Sequence, residues 1–199
     1  MTEEDVEILS KEVSFSGFFK LVTWRLRHRR FDGGWTGEIR REVFERGHAV
    51  GVLLYDPARD EVALVEQFRV GALAAGMAPW LLEVVAGMID DGETPAEVAH
   101  RETVEEAGQP PLELVRMLRY LVSPGGTSET VELFCARVDT ATMGGLFGVE
   151  DEGEDIRVRV LPADEAIGML SDGHIDNSAT VIALQWLALN RDMLRLRWR

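Results

Sequence analysis

The sequence has a single cysteine among 199 residues and no long apolar run. Cys135 cannot form an internal disulfide, and its strand-like neighbours suggest a small core residue in a reducing compartment. The longest apolar stretches, residues 50–55 and 77–82, are far shorter than the roughly 20 residues of a membrane-spanning helix. Residues 1–7 are acidic where a secretory signal would be basic. We therefore expect a cytoplasmic protein with no membrane partner.

Basic residues are also scarce. The chain has 21 lysines and arginines against 35 acidic residues, which gives a formal net charge of −14. Such a balance argues against a protein that binds nucleic-acid backbones. The basic run at residues 25–30 is short and interrupted by Leu26, so we interpret it as a solvated strand face rather than a nucleic-acid site. A phosphorylated small-molecule substrate is still compatible with this net negative charge, because bound divalent cations can reverse the charge locally.

Apolar patterning predicts a mixed α/β fold. Residues 1–45 mix apolar and cationic positions too irregularly for one amphipathic helix, and we interpret them as an appendage of antiparallel strands. Residues 46–199 would form the main domain. Strands are predicted at residues 50–55, 62–65, 80–85, 114–121 and 131–138, a loop at 86–92, and helices at 164–171 and 179–194.

A further helix has clear start and stop signals. Thr94 is a typical N-cap, Pro95 suits the first helical position, and Glu97 completes a capping box. Gly108 can end the helix in a left-handed conformation. The sequence therefore predicts a helix between these residues.

Three glutamates, Glu102, Glu105 and Glu106, share one side of this helix. The simplest interpretation is a solvated face on which Arg101 pairs with Glu105. However, carboxylates stacked in this way repel one another, and they suit a hard divalent cation that accepts oxygen ligands.

The surrounding pattern favours the metal-binding interpretation. Seven residues are spaced over 22 positions as in the Nudix box: Gly87, Glu93, Arg101, Glu102, Glu105, Glu106 and Gly108. The segment closely resembles that box. It departs from the usual form at Thr103 and Gln109, where aliphatic residues are expected. In the family these positions serve packing, so the departures concern packing of the core and leave the metal ligands intact.

The resemblance to the Nudix family implies an α/β/α sandwich with a mixed sheet, beside the small N-terminal antiparallel appendage. It also implies hydrolysis of a nucleoside diphosphate linked to another moiety. Glu102, Glu106 and the carbonyl of Ala86 would bind Mg²⁺, with Mn²⁺ as the alternative cation. Glu105 would support the catalytic centre, and Arg101 would orient the glutamates.

Other segments resemble the bacterial ADP-ribose pyrophosphatase branch of the family. One is residues 123–129, which contain a proline 15 residues after Gln109. The others are residues 65–69, 150–155 and 175–177. By composition, residues 150–155 form either a solvated loop or a mobile loop that closes over substrate. By resemblance, Glu152 would be the catalytic base and Glu154 a further metal ligand.

The resemblance also implies substrate contacts. Arg69 and Arg41 would contact the diphosphate or its flanking groups, and Glu129 would hold the terminal ribose. Phe18 would stack on adenine. The competing interpretations are a surface arginine for Arg69 and a core aromatic for Phe18. Enzymes of this branch are homodimers, so a second copy of the chain is the expected partner.

The activity predicted in this way is magnesium-dependent cleavage of ADP-ribose to AMP and ribose 5-phosphate. One alternative is the same chemistry on GDP-mannose or another nucleoside diphosphate-sugar. The second alternative is a Nudix-fold sensor that binds such ligands without turnover. The full set of predicted acids argues against the sensor, since a sensor needs neither metal nor base.

Overall fold

The structure is a computed structural model that describes residues 1–149 and 153–199. The chain forms two compact units. The first comprises Met1–His48 and Leu121–Thr130, and the second comprises Ala49–Tyr120 and Val131–Arg199. The predicted division after residue 45 stays a prediction.

The first unit contains a three-stranded antiparallel sheet in the order β1-β2-β3. Its strands are β1 (Val6–Ser16), β2 (Lys20–His28) and β3 (Ile39–Glu45), preceded by a 3-10 turn at Glu3–Asp5. The antiparallel appendage is therefore confirmed. Residues 121–130 join this unit through β3, where the Phe44 amide donates to the Gly126 carbonyl at 2.8 Å.

The second unit is built on an eight-stranded mixed sheet. Strands β10, β11, β5, β4, β9 and β8 follow one another, while β6 pairs with β5 and β7 pairs with β4. The β4–β9 pair is parallel. The strands are β4 (Ala49–Asp56), β5 (Glu61–Phe68), β6 (Trp80–Glu83), β7 (Val85–Met88), β8 (Glu113–Leu121), β9 (Thr130–Arg137), β10 (Gly145–Phe147) and β11 (Ile156–Pro162).

Helices cover both faces of this sheet. They are α1 (Val70–Ala74), α2 (Pro95–Ala107), α3 (Ala163–Asp172) and α4 (Ser178–Arg197), with a 3-10 turn at Thr140–Thr142. Alternate residues of β4 point to opposite faces, so Leu53 packs with α3 and α4 and Leu54 packs with α2. The predicted α/β/α sandwich is confirmed. Of the helices described, none is both long and apolar enough to cross a bilayer.

The predicted strand at residues 80–85 is wrong in one respect, because the structure has two short strands there. β6 ends at Glu83, and β7 begins at Val85 and continues to Met88, so residues 86–88 are strand where a loop was predicted. Contacts from α4 and its N-cap residue stabilise the break between the two strands. The buried amide of Val84 donates to Thr180 Oγ1 at 2.9 Å, and Asn177 Nδ2 donates to the Leu82 carbonyl at 2.8 Å.

Candidate active site

Helix α2 begins and ends where the sequence predicts. Thr94 Oγ1 accepts a hydrogen bond from the Glu97 amide, and the Glu97 carboxylate accepts one from the Thr94 amide at 2.8 Å. Gly108 ends the helix with φ of 78°, a left-handed conformation that favours glycine. Buried small residues, including Ala99 and Ala107, pack the helix against β4 and β7. These contacts fix the glutamate-bearing side of α2 beside β7.

Two glutamates of α2 contact the β7 backbone. Glu102 is 9% exposed and Glu106 is 3% exposed. The Ala86 amide donates to Glu106 Oε2 at 3.1 Å. A Cβ atom at Gly87 would overlap the carboxylate of Glu102, so only glycine allows this approach. The structure thus brings together three of the predicted metal-binding positions.

The electrostatics of these two carboxylates are unusual. Burial raises the pKa of Glu102 to about 7, although the adjacent charge of Arg101 opposes the shift. Burial likewise raises the pKa of Glu106 to about 8, the charge of Glu102 adds to it, and Arg69 opposes it. An ionised carboxylate in this position is therefore costly unless a cation lies beside it.

Arg101 organises the acidic residues around it. Its Nε and Nη2 donate to the two oxygens of Glu93, each at 3.1 Å. Its Nη1 donates to Glu102 Oε1 at 2.7 Å and to Glu105 Oε2 at 3.2 Å. Nη2 also reaches the Met88 carbonyl at the end of β7. Arg101 therefore contacts three acidic side chains, and its orienting role stays a prediction.

Besides burial, the charges of Glu105 and Glu154 both raise the pKa of Glu102, and that of Glu154 also raises the pKa of Glu106. The Glu105 side chain is 38% exposed and is held by Arg101. Glu154 Oε2 accepts a hydrogen bond from the Val149 amide at 3.1 Å. Glu152, the predicted base, lies outside the described residues. In the described part of the chain, no three acidic, histidine or cysteine side chains are grouped closely enough to hold a metal ion. A cation at Glu102 and Glu106 would therefore also need backbone, water or substrate oxygens.

Arg69 lies between β5 and α1 in the same unit. Its Nε donates to Glu83 Oε2 at 2.7 Å, and its side chain is 42% exposed. Its positive charge is close enough to Glu106 to influence that carboxyl group. The guanidinium of Arg69 is therefore partly exposed to solvent near the α2 glutamates.

The other predicted substrate contacts belong to the first unit. Arg41 lies on β3, and its Nη1 donates to the Arg40 carbonyl at 2.8 Å. Glu129 is buried and lies 3.5 Å from Arg46 Nε. Phe18 is 90% exposed at the turn between β1 and β2, so the alternative of a core aromatic is wrong. The roles of Arg41, Glu129 and Phe18 stay predictions.

Sequence reasoning missed four residues that hold these groups in place. Glu93 was part of the motif, and its spacing from Arg101 could have suggested the pairing. Thr180 was not predicted to have a role, because its contact with Val84 spans 96 residues of sequence. Glu83 and Arg46 gave no sequence signal, since one was a single charged residue within a predicted strand and the other belonged to no motif.

Comparisons with known proteins indicate the family of the chain. The NUDIX domain model matches residues 45–184. The chain is 48% identical to the ADP-ribose pyrophosphatase of Escherichia coli strain K12 over 98% of this chain and 94% of that protein. It is 36% identical to the GDP-mannose pyrophosphatase of Pectobacterium atrosepticum, over 90% and 92%. The crystal structure of an ADP compounds hydrolase matches with a TM-score of 0.73 at 22% identity, over 98% of this chain and 97% of that one, and indicates a shared fold.

Proposed function

The chain belongs to the Nudix family, and from that premise we propose that it hydrolyses the diphosphate of ADP-ribose in a magnesium-dependent reaction. The observation that carries the proposal is the pair of buried carboxylates, Glu102 and Glu106, held against the Ala86–Gly87 backbone. Such a pair gains from binding a cation. The 48% identity to a protein named ADP-ribose pyrophosphatase supports the substrate.

Glu102, Glu106 and the carbonyl of Ala86 would hold the metal, with Glu105 and Glu154 in support. When bound, Mg²⁺ neutralises phosphate charge, stabilises the charge that develops during displacement, and lowers the pKa of a bound water. The donor set fits this cation, because Mg²⁺ prefers oxygen ligands and keeps several waters. Mn²⁺ has the same ligand preference and is the alternative cation.

Arg101 would maintain the geometry of the centre. Its guanidinium bonds Glu93 at two points and Glu102 and Glu105 at one each, so the acidic side chains keep fixed positions. Arg69 would contribute positive charge toward the anionic substrate, because a guanidinium fork matches phosphate oxygens.

The proposed reaction is an in-line attack of water on one phosphorus of the diphosphate. The P–O bond to the bridging oxygen breaks, and the products are AMP and ribose 5-phosphate. Glu152 would take the proton from the attacking water. This assignment comes from the sequence resemblance, because Glu152 lies outside the described residues.

GDP-mannose is the second candidate substrate. It is favoured by one observation, the 36% identity to a protein named GDP-mannose pyrophosphatase. The chain is more similar to the ADP-ribose pyrophosphatase, at 48%. Since both substrates have a diphosphate between a nucleoside and a sugar, the chemistry at Glu102 and Glu106 would be the same. The difference would lie in contacts to base and sugar.

We also propose that the protein acts as a cytoplasmic homodimer without a nucleic-acid partner. Exposed apolar side chains that are close in the chain, Val13, Phe15 and Phe18, support association of the first unit, since subunit contacts commonly cover such groups. The net charge of −14 disfavours binding to nucleic acid.

A substrate panel tests the proposed specificity. ADP-ribose, GDP-mannose, NADH and diadenosine polyphosphates are incubated with the enzyme and Mg²⁺, and the nucleotide products are separated by chromatography. We expect the highest kcat/KM for ADP-ribose, with AMP and ribose 5-phosphate in equal amounts. A higher kcat/KM for GDP-mannose would select the second candidate. Binding of ADP-ribose without any product would refute hydrolysis.

A further inference from the structure

Arg69 forms an ion pair with Glu83, a residue that has no role in the reaction described so far. Arg69 Nε donates to Glu83 Oε2 at 2.7 Å. The Glu83 side chain is 14% exposed, whereas that of Arg69 is 42% exposed. A mostly buried carboxylate therefore holds the guanidinium at one edge while the rest of the guanidinium faces solvent.

The backbone fixes both partners. Arg69 follows the last residue of β5, and its amide donates to the Pro79 carbonyl at 2.7 Å. This hydrogen bond joins the two ends of the segment that contains α1. Glu83 ends β6 and lies directly opposite Val65 of β5. Residues directly opposite in antiparallel strands share a face, and Val65 packs in the core on the α2 side. The pair is thus on the sheet face that carries α2.

The Arg69 guanidinium keeps its phosphate-binding edge free. Glu83 contacts Nε, and within the described residues neither Nη1 nor Nη2 of Arg69 has a hydrogen-bond partner. Arg101 differs, because its Nε, Nη1 and Nη2 all donate to neighbouring oxygens. Two parallel N–H groups on one rigid plane can bind two phosphate oxygens at once.

We propose that Glu83 is a positioning residue for Arg69, the residue that contacts the diphosphate of the substrate. This inference rests on the proposed function and adds to it. The carboxylate of Glu83 holds the guanidinium in one orientation before the substrate arrives. Less side-chain freedom is then lost on binding, which strengthens the contact. Without Glu83, Arg69 keeps its charge and loses its fixed orientation.

The substitution Glu83→Gln tests this proposal by steady-state kinetics with ADP-ribose and Mg²⁺. We expect KM to rise about tenfold with kcat changed less than about threefold, because the lost contact is made equally in the ground and transition states. Glu83→Asp retains the charge and should restore part of the affinity. Thermal unfolding of each variant reports on folding.

Glu66→Gln is the matched control. Glu66 lies on β5 and accepts a hydrogen bond from Arg157 Nε at 2.8 Å, so the control breaks a comparable strand ion pair. Neighbouring residues of a strand point to opposite faces, so Glu66 points away from the face shared by Val65 and Glu83. We expect the KM of this variant to equal that of the wild type.

Two further measurements separate positioning from a structural role. In an Arg69→Ala background, Glu83→Gln should add little to KM, because its effect acts through Arg69. A full additional increase there would overturn the proposal. The affinity for inorganic pyrophosphate with Mg²⁺, measured by calorimetry, should fall about tenfold in Glu83→Gln by the same loss of a phosphate contact. An unchanged affinity would also overturn it.

The pyrophosphate titration also distinguishes the two proposals. If the wild type does not cleave ADP-ribose yet Glu83→Gln weakens pyrophosphate binding, the proposed activity fails and the role of Glu83 stands. If the wild type cleaves ADP-ribose and Glu83→Gln matches it in KM and pyrophosphate affinity, the role of Glu83 fails alone.

Discussion

Gly87 illustrates how one residue type can be required by a close approach rather than by backbone conformation. The β7 strand pairs with β4 at this point, with Gly87 opposite Val50. The carboxylate of Glu102 occupies the space where a side chain would start. The first glycine of the motif therefore allows the glutamate to lie against the strand.

Replacing Gly87 with alanine should reduce turnover at least about 100-fold, the loss that a misplaced catalytic group can cause. The new methyl group displaces Glu102 from the β7 backbone. Steady-state kinetics with saturating Mg²⁺ measures the loss. Gly168→Ala is the control, because nothing lies within 4 Å of a Cβ there. It should leave turnover unchanged and raise stability by about 0.5–1 kcal/mol. Wild-type turnover in Gly87→Ala would contradict this account of Glu102.

The raised pKa of Glu106 makes the stability of the metal-free protein depend on pH. Burial raises this pKa from its usual value of 4.5 to about 8. Below about pH 4.5 the group is protonated in both folded and unfolded chains. Between these values the unfolded chain releases the proton that the folded chain keeps, so rising pH favours unfolding.

Thermal unfolding in EDTA at pH 5, 6.5 and 8 measures this effect. We expect Glu106→Gln to gain Tm relative to the wild type as pH rises, because its side chain does not ionise. Adding Mg²⁺ should reduce the difference at pH 8, since the cation stabilises the ionised wild-type carboxylate. Parallel Tm profiles for the two proteins would show that Glu106 is not held in a costly environment.

Among the secondary structure elements, α2 was the most predictable because its signals are local. Thr94, Pro95 and Gly108 define its ends through contacts within a few residues. The break between β6 and β7 was not predictable, since Val84 depends on Thr180 and Leu82 depends on Asn177. These partners are in α4 and its N-cap residue, far along the chain. Local patterns thus give the glutamates of the site, whereas distant contacts place the strand beside them.

The contact of α4 with the strand break gives a prediction at the level of packed elements. Thr180→Val keeps the shape of the side chain and removes the acceptor for the Val84 amide, which leaves a buried donor unsatisfied. Denaturant unfolding should show a loss of about 1–3 kcal/mol. Turnover should also fall, since β6 and β7 carry Glu83 and Ala86.

Thr103→Val is the matched control for this experiment. Thr103 is also fully buried, but its hydroxyl donates to the Ala99 carbonyl within α2. No buried donor is left without an acceptor, so the loss should be clearly smaller. Equal losses in the two variants would mean that the Thr180 contact does not hold the break.

At the level of the whole molecule, the net charge of the protein has the same sign as the charge of the proposed substrate. A protein of net charge −14 is proposed to bind an anionic diphosphate. Buried acids at Glu102 and Glu106 increase this repulsion locally. A divalent cation resolves it, because its charge is the largest in such a site. A bound divalent cation would therefore make the excess of acidic residues compatible with the proposed substrate.

The proposed homodimer predicts a mass in solution near twice the 22.2 kDa of the chain. Light scattering coupled to size exclusion, run over a range of concentrations, gives this mass directly. We expect the dimer to persist on dilution, because an obligate subunit contact is large and apolar. A mass equal to one chain at all concentrations would refute the dimer.

We propose above that Glu102 and Glu106 form the metal-dependent centre of an ADP-ribose hydrolase. The most direct measurement is AMP release from ADP-ribose by the wild type and Glu106→Gln, each with Mg²⁺ and with EDTA. We expect rapid AMP release by the wild type with Mg²⁺ and none with EDTA. With Mg²⁺, the rate of AMP release by Glu106→Gln should be at least about 100-fold lower. Release by the wild type in EDTA, or undiminished release by Glu106→Gln, would contradict it.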